Sequence, residues 1–137
     1  MNLLDTDIFS LAKSGHPRVS ARVAKESPLA ITIVTRIEIL KGRFATVLTA
    51  ANAKELLQAQ FWLEVAERDL ATEVIVPFTV DAAQTFDQLR SDKRCKRIGR
   101  ADLLIASIAL AQRATLVTRN VRHFKLVPGL KIENWAD

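Results

Sequence analysis

The sequence predicts an α/β domain, a parallel β-sheet covered by helices on both faces. Three observations carry that prediction. Short apolar and β-branched runs alternate with segments of helical period along the whole chain, as in strands joined by helical crossovers. The first of those runs, Leu3-Leu4, comes at the very start and leads straight into a helical pattern, as a strand in the middle of the core would. The 137 residues, 49% of them apolar, make one domain (1–137) able to bury a core without disulfides or structural metal.

Each element has its own signal. After Leu3-Leu4, Ile8 to Lys13 reads as a short helix ended by Ser14-Gly15. Pro17 opens a second helix, about Arg18 to Lys25, with Val19 and Val23 at i, i+4, and Ser27-Pro28 breaks it. Leu29 to Val34 is rich in β-branched residues and reads as a buried strand. Thr35 to Leu48 is helical, with Ile37, Leu40 and Phe44 on its apolar side and Gly42 weakening it.

Asn52 to Leu70 is the longest periodic segment. Leu56, Ala59, Leu63, Ala66 and Leu70 form one stripe, widened by Phe61 and Val65, and Trp62 lies off it, at the surface or an interface. Thr72 to Phe78 is a third strand and Val80 to Arg90 the next helix. Asp102 to Arg113 is apolar nearly all round, which predicts a helix buried on most sides. Thr115 to Thr118 is a fourth strand, and Leu130 to Glu133 a weak fifth at an edge.

Composition narrows the function classes. No apolar run approaches the roughly 18 residues of a membrane span, and the start lacks a basic region and cleavage site, so a cytoplasmic location is expected. A single cysteine, Cys95, excludes an internal disulfide and fits a reducing compartment. The net charge is +5, and its distribution says more than its size. From Arg90 to Arg100 six cations face one acid, Asp92, a surplus equal to that of the whole chain. Such a cluster is either a solvated loop or the footprint of a polyanion partner.

Three acids repeat one placement. Asp5 follows the first strand, Glu38 lies a turn into the helix after the second, and Asp102 opens the buried helix that feeds the fourth. Right-handed crossovers bring all three, with the Thr118-Arg119-Asn120 turn, to the carboxyl edge of the sheet, where open α/β sheets bind ligands. Each acid also has a purely structural reading. Asp5-Thr6-Asp7 suits a helix cap, Thr35-x-x-Glu38 matches a capping box, and Asp102 would complement a helix dipole. Acids that share a rim, however, repel one another unless a cation or proton neutralises them, and hard divalent ions prefer oxygen ligands. Ser107 in the buried helix reads as packing, and His16 and His123 as surface or half-buried residues, with a ligand role left open for His123.

The ordered set Leu3-Leu4-Asp5-Thr6-Asp7, Thr35-x-x-Glu38-x-x-x-Gly42, Asp102-x-x-Ile105-Ala106 and Leu116-Val117-Thr118-Arg119-Asn120-x-x-His123-Phe124 resembles the PIN-domain ribonucleases, above all the VapC toxins of bacterial toxin–antitoxin pairs. The resemblance spans nearly the whole chain. It implies a three-layer α/β/α fold with a parallel sheet of four to five strands, Mg²⁺ or Mn²⁺, and RNA cleavage. It further implies Asp5, Glu38 and Asp102 as the metal-binding triad, with Thr118 and Asn120 completing the catalytic site. A homodimer blocked by an antitoxin segment at the active site is the expected assembly. Many relatives carry a fourth acid at the place of Asn120 or His123; neither is acidic here, so one ion or none is expected in the free protein, with a second arriving only with the RNA phosphate.

On this reading Arg94, Lys96, Arg97 and Arg100 hold the RNA backbone without reading bases. Three other classes fit less of the chain. A structure-specific DNA nuclease would share the acids but needs DNA-binding elements for which there is no room. A phosphatase built on Asp5-x-Asp7 would have Gly-Thr next, where Ile8-Phe9 stands. A non-catalytic or weakly active RNA-binding module would be marked by the missing fourth acid.

Overall fold

A computed structural model describes residues Met1–Asp137. Five strands form one sheet: β1 (Asn2–Leu4), β2 (Leu29–Thr32), β3 (Ile75–Val76), β4 (Thr115–Val117) and β5 (Lys131–Glu133). Their spatial order is β3-β2-β1-β4-β5 and every pairing is parallel. The earliest strand is therefore the central one, and the weak fifth is an edge. Around the sheet run α1 (Thr6–Lys13), α2 (Pro17–Lys25), α3 (Ile33–Leu48), α4 (Ala53–Ala71), α5 (Val80–Ser91), α6 (Arg100–Ala111) and the single turn α7 (Val121–Phe124).

Strand side chains alternate between two cores, as the pleat requires. Leu3, Ala30, Val76 and Leu116 join one cluster with Phe86 and Leu89 of α5 and Leu103, Ile105 and Ile108 of α6. Leu4, Ile31 and Val117 face the other way and pack with Ile8 and Phe9 of α1, Val19 of α2 and Leu70 of α4. The result is the expected three-layer α/β/α arrangement, with α6 buried on most sides. Ser107 is fully buried and bonds back to the Leu103 carbonyl at 2.7 Å, the packing role expected of it. No helix is long and apolar enough to cross a membrane.

Several expected boundaries and faces need correction. The second strand stops at Thr32, not Val34, because the Thr32 hydroxyl caps α3 by accepting from the Thr35 N–H at 3.3 Å. The third strand shrinks to Ile75–Val76, since α4 runs on to Ala71 and takes Thr72 as its C-cap. The apolar side expected of α3 is not its buried side: Ile37 and Phe44 are exposed, as are Leu56 and Phe61 of α4. Length explains this. At about 1.5 Å per residue, the 16 residues of α3 outrun a four-residue strand by nearly a factor of two. The far ends of α3 and α4 pack on each other beyond the sheet, and Trp62, half exposed, stands on that overhang.

Candidate active site

The register β1–β2 and β1–β4 pairs Leu4 with Ile31 and with Val117, so Asp5, Thr32 and Thr118 come next as one row at the carboxyl edge. All three are buried. Asp5 is the N-cap of α1, its Oδ1 accepting from the Ile8 N–H at 2.9 Å. Capping does not satisfy it. Burial raises the Asp5 pKa to about 6, although the hydrogen-bonded Thr118 hydroxyl and the Ile8 N–H pull it down; the carboxylates of Asp7 and Asp102 add to the rise. A cap and a metal ligand are thus compatible roles for one side chain.

Glu38 is no capping-box residue. Because Thr32 is the cap of α3, Thr35 takes the position that a capping Glu would need, and Glu38 lies almost two turns into the helix. Its Oε1 accepts instead from the Thr6 hydroxyl at 2.6 Å, and Thr6 meets the fully buried Thr35 hydroxyl at 3.1 Å. Sequence reasoning missed this pair of threonines, which ties α1 to α3 beneath the carboxylate.

Asp102 stands in the first turn of α6, whose cap, Gly99, offers no side-chain bond. Its pKa is raised, first by burial and then by the Glu38 and Asp7 carboxylates, while His123 opposes the rise. Asp7, exposed in the first turn of α1, therefore acts on both Asp5 and Asp102, an influence that a role within a cap does not suggest.

The last motif contributes through α7, a helical turn that the sequence pattern does not reveal. The Asn120 N–H donates to the Thr118 hydroxyl oxygen at 3.0 Å, and its amide nitrogen lies 2.9 Å from His123 Nδ1. That same Nδ1 is 3.3 Å from Asp102 Oδ2, and His123 Nε2 is 3.4 Å from the Arg97 carbonyl oxygen. Nδ1 of half-buried His123 serves one of these neighbours at a time: unprotonated it accepts from the Asn120 amide, protonated it donates to Asp102. The i, i+3 spacing of Asn120 and His123, one turn of helix, was the available signal.

The cations of the basic segment are not equivalent. Its first part is a short 3₁₀ turn, Lys93–Cys95, capped by Asp92. Arg94 is bound to Asp92 through Nη2–Oδ2 at 2.8 Å and Nε–Oδ1 at 3.1 Å, so two of its donors are already engaged. Lys96, Arg97 and Arg100 make no ion pair. Cys95 is buried in the core with its thiol pKa raised by burial, as befits an inert residue.

The donor set suits a hard divalent ion: carboxylates, hydroxyls and an amide, with two carboxyls whose pKa values are raised first by burial and then by neighbouring carboxylates. As the side chains stand, no three of them are close enough together to hold one ion. Glu38 is engaged with Thr6, and mutual repulsion favours the open arrangement.

A parallel α/β/α sandwich thus sets Asp5 and Asp102, neither paired with a Lys or Arg, at the carboxyl edge of its central strands. The chain belongs to the PIN-domain family, whose model matches residues 3–130. Within it the likeness is to the VapC ribonucleases. Ribonuclease VapC2 of Rickettsia felis is 33% identical over 97% of this chain and 96% of that protein. The tRNA(fMet)-specific endonuclease VapC of Salmonella typhimurium is 27% identical over 98% of this chain and 97% of its own. Among solved structures, VapBC2 of Rickettsia felis bound to a DNA fragment from its promoter matches with a TM-score of 0.76 and 32% identity, over 98% of both chains.

Proposed function

We propose that this chain is a metal-dependent endoribonuclease, the toxin of a type II toxin–antitoxin pair, that hydrolyses RNA phosphodiester bonds. The observation that carries this reading is the pair Asp5 and Asp102 at the sheet edge, neither with a Lys or Arg counter-ion, in a chain similar along its whole length to ribonuclease VapC2. Asp5 and Asp102 would hold Mg²⁺ or Mn²⁺, with Glu38 binding the ion or orienting water. When bound, the ion polarises a phosphoryl oxygen and lowers the pKa of the attacking water.

The rest is done by the chain. The cap on Ile8 fixes one Asp5 oxygen, so its carboxylate enters the site at a set angle. Thr118 keeps Asp5 poised toward its charged form by hydrogen bonding, and Asn120 orients the His123 ring that faces Asp102. Lys96, Arg97 and Arg100 would hold the RNA backbone. The partner would be a cognate antitoxin, and a homodimer in the cytoplasm the working form. The exposed overhang of α3 and α4, with Phe44, Leu48, Leu57, Phe61 and Trp62, supports a protein partner, because a lone monomer gains nothing from such a patch.

A second reading, a non-catalytic RNA-binding module, draws support from the missing fourth acid and from carboxylates that stand apart. One assay separates the two. Purified protein with Mn²⁺ should cut a mixed-sequence RNA, and excess EDTA should stop it. Asp5→Asn and Asp102→Asn should each lower the rate by more than about 100-fold, the scale reached even by residues behind a metal ligand. Cleavage retained in both variants would sink the metal assignment. No cleavage by the wild type in either metal would favour the binding module.

A further inference from the structure

Around the basic segment, some cations already have an anion and some do not. Arg94 is bound to Asp92, and elsewhere Arg22 and Arg119 are paired with Glu26, Glu133 and Asp137. Arg90, Lys96 and Arg100 make no ion pair, yet they gather round one hollow of about 230 Å³, with Phe86, Ile98 and Leu103 in its wall. Arg90 lies in the last turn of α5 and Arg100 is the first residue of α6. Each rests its guanidinium on the Phe86 ring, at 5.7 and 5.8 Å from the centroid.

That shared ring is what makes the hollow a site. Phe86 is almost wholly buried in the core between α5 and α6, so its position is fixed by packing. A cation on a ring face is held without using its N–H donors. Two guanidiniums held this way keep their planar forks available for an anion, and the fork matches a phosphate. Both sit against one ring, which sets the two cations close to each other. They repel until an anion joins them.

We infer that this hollow is a second phosphate subsite, which takes a backbone phosphate of the RNA away from the bond at the acidic rim. The inference rests on the ribonuclease reading for the identity of the polyanion. Continuity with the rim comes from the chain itself: Arg100 precedes Asp102 by two residues, and the Arg97 carbonyl meets His123 Nε2, whose ring faces Asp102. The groups offered are charges and forks and not base-reading amides, so the subsite adds affinity and register, not sequence choice.

The test is the binding of a short fluorescent single-stranded RNA of mixed sequence, followed by anisotropy in EDTA at several salt concentrations. Arg90→Gln with Arg100→Gln should weaken binding about tenfold and reduce the log–log salt slope by about 0.7, the change for one single-strand phosphate left unneutralised. Lysine at both positions keeps the charge without the fork and should restore the salt slope but only part of the affinity. A charge-matched control, Lys25→Gln with Lys54→Gln on distant surfaces, should change little. Equal losses in the control would mean bulk charge alone and overturn the subsite, as would an unchanged double variant. Polyglutamate binding that depends on Arg90 and Arg100, with RNA binding that does not, would overturn it too and assign the hollow to an acidic peptide. The two readings fail separately. Arginine-dependent binding without any Mn²⁺-dependent cleavage removes the activity and keeps the subsite; cleavage without arginine dependence does the reverse.

Discussion

Two groups of carboxylates lie along the same sheet edge, one beyond β1 and one at β5, and behave in opposite ways. At the outer end, Glu133 of β5 accepts from Arg22 at 3.2 Å and from the Trp135 indole N–H at 2.7 Å, and Arg22 also meets Glu26 and stacks on Trp135. Close by, hydrogen bonds from Asn134 and Arg119 hold the Asp137 carboxyl below its usual range. Further in, Asp5 and Asp102 pair with no Lys or Arg, and both are raised. The outer group closes the end of the chain, in which Trp135 and Ala136 complete one core. The inner group has only hydrogen bonds to Asp5 and the His123 ring beside Asp102 to set against burial and mutual repulsion. Carboxylates that a fold leaves uncompensated, when it can pair others along the same edge, mark the place where a ligand charge belongs.

The contrast is sharpest for Asp5, where burial is deepest. Asp5→Asn should raise the melting temperature of the metal-free protein by roughly 5–10 °C near pH 7, since Asn caps a helix as well as Asp does and removes the buried charge. A fall in melting temperature would show that the carboxylate is structural.

The pH dependence carries the same sign. A folded-state pKa of about 6 lies above that of an unfolded Asp, so the native state binds the Asp5 proton more tightly. The contribution to stability is full below about pH 4 and is lost as pH rises through about 6, by up to about 3 kcal/mol. The pH-dependent loss should vanish in Asp5→Asn. Denaturant unfolding of both proteins from pH 4 to 8 would measure it.

Smaller effects are expected at Asn120, which has one carbonyl oxygen and no charge to offer an ion. Asn120→Asp should tighten Mn²⁺ binding, most visibly at low metal, and Asn120→Ala should slow cleavage less than Asp5→Asn does. Smallest of all should be Asp137→Asn in the outer group, where chemical denaturation should find stability almost unchanged, because an exposed ion pair is worth little.

Most of the scaffold was legible because strand and helix periods are local properties of the chain. The row Asp5, Thr32, Thr118 follows from where three apolar runs end. What was not legible depended on lengths and on partners. The face of α3 with Ile37 and Phe44 looked like a core face because periodicity does not say how far a helix overruns its sheet. Glu38 looked like a capping residue because the true cap, Thr32, was assigned to a strand. The role of His123 required α7, too short to leave a periodic trace. A count of cations could not separate Arg94, neutralised by Asp92, from Arg90 and Arg100 on the Phe86 ring.

If the inner carboxylates are left without a Lys or Arg partner in order to hold one divalent ion, calorimetric titration of Mn²⁺ into the free protein at pH 7.5 should show it. A single site is expected in the wild type, lost in both Asp5→Asn and Asp102→Asn and tighter in Asn120→Asp. Binding unchanged by either Asp→Asn substitution, or two equally tight sites before any RNA is added, would contradict that assignment.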